Sequence, residues 1–234
     1  MKKTMFLCTI IFISSFCYSQ ERGRYVDVEL WGGMPFISGS LDHAGNETIK
    51  TEIPFSFGIG VATYNIFRGS NFGIVILINY IFPETLLHTI DGQEIRYARN
   101  NISSLDVQLG FGYHLLGQEG TFRLPVTFGF HFFNFAGLSE RTNETYQLYI
   151  DSFGIGSSVA AELHIASFVY FFFRLQGFFD FIYDASISHI EYVGYNISGR
   201  RAYFIDSREF SAVSTYFGIT PSIGLGLKID GLIP

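Results

Sequence analysis

Cysteine, charge and long apolar runs are scarce in this sequence of 234 residues. The two cysteines, Cys8 and Cys17, both lie in the first twenty residues, so removal of that segment would leave a chain without thiols. Such a chain forms no disulfide and binds no structural zinc through thiolates. Only 15% of the residues are charged, which is low for a water-soluble domain.

The first residues have the pattern of a secretory signal peptide: two lysines, an apolar run over 5–13, then small and polar residues. Cleavage is predicted before Gln20, which makes 1–19 the signal and 20–234 the mature domain. Lipidation of Cys17 is the alternative, and it needs a small residue where Phe16 stands.

The charge that remains is mostly negative. Without the two lysines of the signal, 13 basic residues face 21 acidic ones, a net charge of −8. This balance argues against nucleic acid and anionic lipid headgroups as partners. No segment after the signal reads as a transmembrane helix, because Arg174 and Asp180 interrupt the most apolar stretch, 167–183.

Aromatic residues and glycine are abundant instead, with 27 Phe, 14 Tyr and 25 Gly. A soluble domain would have to bury most of these rings, whereas a membrane β-barrel displays them to lipid. Period-two alternation predicts eight strands, each long enough to cross a membrane at a tilt. The predicted segments are 24–33, 53–66, 70–82, 104–115, 121–134, 150–166, 167–185 and 214–229.

The connections between these segments alternate in length. Long polar ones, predicted as loops, follow the first, third, fifth and seventh segments at 34–52, 83–103, 135–149 and 186–213. Short ones follow the second, fourth and sixth. Tight inner turns and long outer loops are typical of outer-membrane barrels.

Within the later segments apolar and polar residues sort onto opposite faces. In the fifth, the residues predicted to face lipid are Phe122, Leu124, Val126, Phe128, Phe130 and Phe132, and those predicted to face the lumen are Arg123, Thr127, Gly129 and His131. The first and third segments are ambiguous in register. A soluble sandwich gives the same periodicity with the apolar face inward. Signal, aromatic content and loop alternation favour an all-β fold, a single eight-stranded antiparallel up-and-down transmembrane barrel.

On this architecture the sequence resembles the small eight-stranded outer-membrane barrels of the OmpA transmembrane domain, OmpX and OmpW types. The resemblance covers the mature chain without a diagnostic motif. It departs at the end, where those barrels usually finish on an aromatic residue and this chain runs on to Pro234. The resemblance implies a monomer in the bacterial outer membrane, with membrane lipid as its surroundings.

An eight-stranded barrel leaves an interior only wide enough for side chains or one small ligand. The sequence predicts a cluster of ions at the inner end of the lumen, and a second group lies further out. The first comprises Asp27, Glu29, His114, Arg123, Glu162, His164 and Lys228, and the second Asp106, Arg174 and Asp180. Opposite charges there would pair into a plug. The alternative is a narrow path lined by the same ions.

The predicted outer loops carry aromatic and cationic residues that could contact a surface or host ligand. These are Tyr97, Arg99, Arg141, Tyr146, Tyr192, Tyr195, Arg200 and Arg201. A structural or surface-contact role is therefore expected, with a narrow channel for small or apolar solutes, as in OmpW-like barrels, as the alternative.

Catalysis is not expected. Ser158, Glu162 and His164 have the residue types of a lipid-cleaving triad, but alternation points all three inward, away from a lipid substrate. No two histidines have the spacing of a metal pair, although His114, His131 and His164 could converge in the lumen. The histidine spacing therefore predicts no metal. No glycine-rich motif opens a helix after a strand, so no nucleotide cofactor is expected, and no other cofactor is indicated.

Overall fold

The computed structural model of the chain describes residues 25–41, 46–51, 55–67, 70–82, 86–90, 92–116, 121–141, 144–195, 201–210 and 215–230. The predicted signal, 1–19, lies outside them. No helix in the described part of the chain is long and apolar enough to cross a membrane.

All regular elements in these ranges are β-strands. In chain order they are β1 (Tyr25–Gly33), β2 (Phe36–Ser40), β3 (Glu47–Thr51), β4 (Ser56–Tyr64), β5 (Phe72–Ile81), β6 (Leu86–Ile90), β7 (Gln93–Arg96), β8 (Ala98–His114), β9 (Phe122–Arg123), β10 (Pro125–Arg141), β11 (Glu144–Ala166), β12 (Val169–Tyr195), β13 (Arg201–Phe210) and β14 (Thr215–Asp230).

Eight of these strands close into a barrel. Each pairs antiparallel with two neighbours in the order β1, β4, β5, β8, β10, β11, β12, β14, and β14 pairs back with β1. The predicted fold class is confirmed, since each predicted segment covers all or part of one strand of the ring. Tyr25, Asp230 and the tight turn after Ala166 lie at one end, which we call the inner end.

The wall of the barrel is apolar outside and polar inside. On β10, the outward rings of Phe128 and Phe130 are 60% and 59% exposed, while Thr127 before them and His131 after them are buried. The predicted faces of this segment and of β11 and β14 are confirmed. An outward apolar surface on a closed barrel is stable only against lipid.

The structure also resolves the two ambiguous registers. On β1, Tyr25, Asp27, Glu29 and Trp31 all face the lumen and are buried. On β5 the lumen receives Val75, Leu77 and Asn79, and the other face lies on the outer wall.

Beyond the apolar wall the strands continue, which corrects the prediction of long polar loops. β11 and β12 contain 23 and 27 residues, whereas crossing the membrane takes about 9–11. The predicted loops 34–52, 83–103, 135–149 and 186–213 contain β2, β3, β6, β7, β13 and parts of β8, β10, β11 and β12. Polar residues on the outer face of these extensions give the sequence its loop-like composition.

The extensions have a hydrophobic core of their own. It continues the lumen outward and is filled by buried side chains from nine strands. They are Ile37, Leu41, Ile49, Ile81, Leu86, Ile95, Tyr97, Phe133, Phe135, Leu148, Ile150, Phe178, Ile182, Ala185 and Tyr216. The outer end of the molecule is therefore a packed β-structure.

Inside the membrane part, large aromatic side chains lie over glycines on the adjacent strand. Each of the following pairs is a cross-strand register pair: Trp31 and Gly58, Tyr64 and Gly73, Tyr170 and Gly226, Phe172 and Gly224, Phe178 and Gly218. A glycine in a strand often marks such a close approach. The abundance of glycine thus lets wide rings fit in a narrow barrel.

Gly58→Ala tests this packing. A Cβ atom at Gly58 would come within 2.1 Å of Cε2 of Trp31, so the indole must move out of its place. We expect the free energy of unfolding to fall by about 1–3 kcal/mol, measured by urea titration of the barrel folded in lipid vesicles. Gly177→Ala is the matched control, because the nearest atom to its Cβ is a carbonyl oxygen at 3.8 Å. Equal stability of the two variants would contradict the packing argument.

Candidate functional site

The inner end of the lumen holds the predicted ion cluster. Asp27 lies opposite Lys228 across β1 and β14, and Glu162 lies opposite Arg123 across β11 and β9. Lys228 Nζ is 4.4 Å from the ring centre of Tyr25, and Arg123 Cζ is 5.7 Å from the same ring. Opposite charges are thus adjacent across the strands, around an aromatic side chain.

Two histidines complete this inner layer. His114 Nε2 is 3.1 Å from the hydroxyl of Tyr25, and its side chain is fully buried. His164 Nε2 lies 3.7 Å from a carboxylate oxygen of Glu162, and its ring packs against Tyr170. Both rings therefore share the inner layer with the ions.

Several buried atoms of this layer have no hydrogen-bond partner among the described residues. They include both carboxylate oxygens of Asp27, Nε and Nη1 of Arg123 and Oε2 of Glu162. Buried polar groups of this kind normally bind water. The inner layer is consequently a polar chamber whose ions are neighbours more than direct partners.

Arg174 closes this chamber on its outer side. Its Nη2 donates to Oε2 of Glu29 at 2.5 Å, and the hydroxyl of Tyr170 donates to Oε1 of the same carboxylate at 3.1 Å. The guanidinium stacks between rings, 4.9 Å from Trp31 and 4.7 Å from Phe172. A cation held by a carboxylate and two aromatic faces is strongly fixed in place.

This geometry corrects the predicted second group, which joined Arg174 to Asp106 and Asp180. Alternation along β12 places Arg174 inward, but its cross-strand neighbour on β14 is Ser222, and Glu29 of β1 lies within reach beyond it. Arg174 belongs with Glu29, and the two aspartates have another cation.

That cation is His131, which bridges the two aspartates. Its Nδ1 is 2.7 Å from Oδ2 of Asp180 and its Nε2 is 2.9 Å from Oδ1 of Asp106. All three side chains are at most 1% exposed. An ionised carboxylate only accepts hydrogen bonds, so with both carboxyl groups ionised both ring nitrogens donate and the imidazole is positively charged. Its ring also stacks on Phe178 at 4.1 Å.

A hydrogen-bond network extends from this bridge across the lumen. Trp31 Nε1 donates to Oδ1 of Asn79 at 2.5 Å, and Nδ2 of Asn79 donates to Gln176 at 3.1 Å and to Asp106 at 3.4 Å. On the other side Ser152 donates to Asp180 at 2.9 Å and contacts the hydroxyl of Tyr216.

This network ties seven of the eight barrel strands together, and β4 contributes Gly58 beneath Trp31. A separate chain of hydrogen bonds lies beside it, from Gln108 to Thr127 and from Thr127 to Ser158. The barrel interior is therefore filled by polar layers in its middle, with the apolar core of the extensions outside them.

The sequence indicates which residues face inward, but not which inward side chains form hydrogen bonds or ion pairs with each other. Asn79, Gln176, Ser152 and Tyr216 were not singled out, although each stands at an inward position of its strand. The sequence predicts that His131 lies in the lumen, where it could converge with His114 and His164. Those two lie in the inner layer, whereas His131 lies in the middle of the barrel.

The residue types of a triad do not come together. Ser158 and His164 are six residues apart on β11, about 20 Å along a strand, and the hydroxyl of Ser158 contacts Thr127 at 2.7 Å. Within the described ranges, no three His, Cys, Asp or Glu side chains are arranged to hold a metal ion.

The predicted contact residues of the outer loops lie mostly in strands. Arg99, Arg141, Tyr192, Tyr195 and Arg201 belong to β8, β10, β12 and β13, and Arg200 lies outside the described residues. Tyr146 is half-buried and stacks on His189 at 4.5 Å.

The prediction that Tyr97 contacts a ligand is wrong, because its side chain is fully buried in the outer core. Its hydroxyl is 3.0 Å from Nδ1 of His88, whose Nε2 lies 3.5 Å from Glu47. Burial lowers the pKa of His88 to about 4, so this histidine is neutral at physiological pH. Burial also raises the pKa of Tyr97.

No protein-family model matches the chain, and no curated protein sequence matches it significantly. Solved structures do resemble its fold. A major outer membrane protein of Thermus thermophilus matches over 89% of this chain and 100% of its own, with a TM-score of 0.52 at 12% identity. Neisserial surface protein A matches over 89% and 99%, with a TM-score of 0.45 at 10% identity. The outer membrane protease OmpT of Escherichia coli matches over 88% and 97%, with a TM-score of 0.43 at 8% identity.

At such low identity the first of these matches supports the fold alone, and it agrees with the closed ring and the apolar outer wall described above. The chain has the fold of a small eight-stranded β-barrel of the bacterial outer membrane.

Proposed function

We propose that the protein is a plugged barrel that anchors a rigid β-structure outside the membrane, where it contacts another surface. The observation that carries this proposal is the filled lumen. The ion pair of Arg174 and Glu29 lies between Trp31 and Phe172, and the network around His131 follows directly outside it.

The packed outer end supports the same role. Its core side chains, among them Ile49, Leu148 and Ile150, are completely buried, so the extension is held as firmly as a protein interior. A stiff projection on a membrane anchor suits binding, since little conformational entropy is lost on contact. We propose no enzymatic activity, because the inward polar groups of the inner layer are out of reach of a lipid substrate.

Single-channel recording tests the plug. The mature chain, folded in lipid and inserted in a planar bilayer, is expected to give no discrete current steps, because side chains around Arg174 and His131 cross the lumen. Resistance of the unboiled protein to SDS, with a mobility shift on heating, shows that the silent protein is folded. Steps from the unaltered chain would contradict the plug.

A narrow channel is the second candidate, and the partnerless polar atoms of the inner layer favour it. Asp27, Arg123 and Glu162 would line a water-filled inner half. Extending that path outward would require Arg174 and the network around His131 to rearrange. In the same recordings this candidate predicts steps in the unaltered chain whose size changes in Arg123→Gln or Glu162→Gln. Steps that are insensitive to both substitutions would count against it.

A further inference from the structure

The strand β13 is an edge of the sheet. Its ten residues pair with β12 on one side, and among the described residues no strand pairs with its other side. β12 and β13 rise together beyond the barrel, over Ala185–Tyr195 and Arg201–Phe210. An edge of this length presents a row of backbone N–H and C=O groups, to which another extended strand can add.

The sequence of β13, RAYFIDSREF, is complementary to itself when two copies run antiparallel. With Ser207 opposite its own copy, position 206 (Asp) stands opposite position 208 (Arg) twice, and position 204 (Phe) stands opposite position 210 (Phe) twice. Opposite charges and aromatic pairs at directly opposed positions both favour strand pairing.

Membrane geometry determines how two copies could meet in this way. Antiparallel strands of identical chains are related by a twofold axis perpendicular to the strands. Two barrels in one membrane share an axis along the membrane normal, and barrel strands tilt only about 35–45° from that normal, so the axis cannot be perpendicular to them. Two barrels in facing membranes are related by an axis in the membrane plane, and their β13 strands then run in opposite directions.

The dimensions fit this arrangement. Ser207 pairs with Ser188 of β12, which lies seven residues beyond Phe181, the partner of Thr215 at the outer start of β14. At a strand tilt near 40° this places Ser207 roughly 20 Å above the apolar wall. Two facing membranes would then be about 40 Å apart. By the same arithmetic the β12 strand ends about 35 Å above the wall, so the described part of the β12–β13 pair fits in the gap.

We infer that β13 is a homotypic contact, through which the chain pairs with a second copy in a facing membrane. This rests on the proposed anchoring role and names the partner of its outer end. The two β13 strands then join the sheets of both copies into one continuous sheet across the gap, and the charges at positions 206 and 208 set the register.

Vesicle clustering tests the inference. The mature chain is folded into phosphatidylcholine vesicles loaded with a self-quenching dye, and clustering is followed by light scattering. The unaltered chain is expected to cluster vesicles. Asp206→Arg and Arg208→Asp each create two like-charge pairs in the dimer and are expected to weaken each contact about tenfold. Heat-dependent mobility in SDS verifies that both variants are folded.

Mixing the two variants gives the decisive result. An Asp206→Arg chain and an Arg208→Asp chain again oppose unlike charges at both positions, so vesicles of one are expected to cluster with vesicles of the other, as the unaltered chain does. Absence of clustering by the unaltered chain, clustering by both single variants at the unaltered rate, or failure of the mixture to cluster would each overturn the inference. Dye release reports separately on the plug, because leaking vesicles contradict the filled lumen of the proposed function whether or not they cluster.

Discussion

His131→Leu is expected to lower the free energy of unfolding by about 3–5 kcal/mol. The imidazole is the cation between Asp106 and Asp180, and all three groups are withdrawn from solvent. Leucine fills much of the volume but leaves two buried carboxylates without a positive partner, and each then lacks the charge that offset its desolvation. Urea titration of the barrel in lipid vesicles measures the difference.

Two further variants separate charge from packing in this experiment. Phe130 is the neighbouring residue and lies on the lipid face. Phe130→Leu also replaces a ring by leucine, and it is expected to lower the free energy of unfolding far less. Combining His131→Leu with Asp106→Asn and Asp180→Asn neutralises both carboxylates, and much of the lost stability should return. If the triple variant were no more stable than His131→Leu, the loss would come from packing instead of charge.

The barrel itself could be predicted because a membrane wall separates apolar from polar residues by a simple period of two. Strands such as β10 and β14 show this pattern plainly, and their faces follow from it. β5 does not, because Val75 and Leu77 point inward against Trp31 and other lumen rings and are as apolar as the outward side. Its register follows only from pairing with β4 and β8.

The sequence predicts loops in place of the outer extensions for a related reason. Outside the lipid the outward face of a strand becomes polar, as with Thr48 and Lys50 on β3, and a polar segment with scattered apolar residues is typical of a loop as well. The buried residues that alternate with them, such as Ile49, pack against core residues on strands that are distant in sequence. Sequence period alone does not supply those partners.

Lumen pairing depends on the stagger of the strands around the barrel, which no local pattern reveals. In the inner layer, Asp27 faces Lys228 across one ladder, and two charges that are this close in strand position can be grouped from alternation. The pairing of Arg174 with Glu29 crosses β14, since β12 and β1 are both its neighbours. A long side chain reaches past the adjacent strand, and its partner is set by the tilt of the whole barrel.

Arg174→Met is expected to destabilise the barrel by about 3–5 kcal/mol, because it leaves the buried carboxylate of Glu29 with only the Tyr170 hydroxyl. Met keeps the length of the side chain between Trp31 and Phe172 and loses its charge. Glu29→Gln alone should cost a similar amount, and the double variant should cost clearly less than the sum of the two, as groups in direct contact do. Phe173→Met, one residue along and facing lipid, controls for the substitution itself. Additive losses in this cycle would show that Arg174 and Glu29 do not stabilise each other. The rings of Trp31 and Phe172, and not the ion pair, would then close the polar inner layer on its outer side.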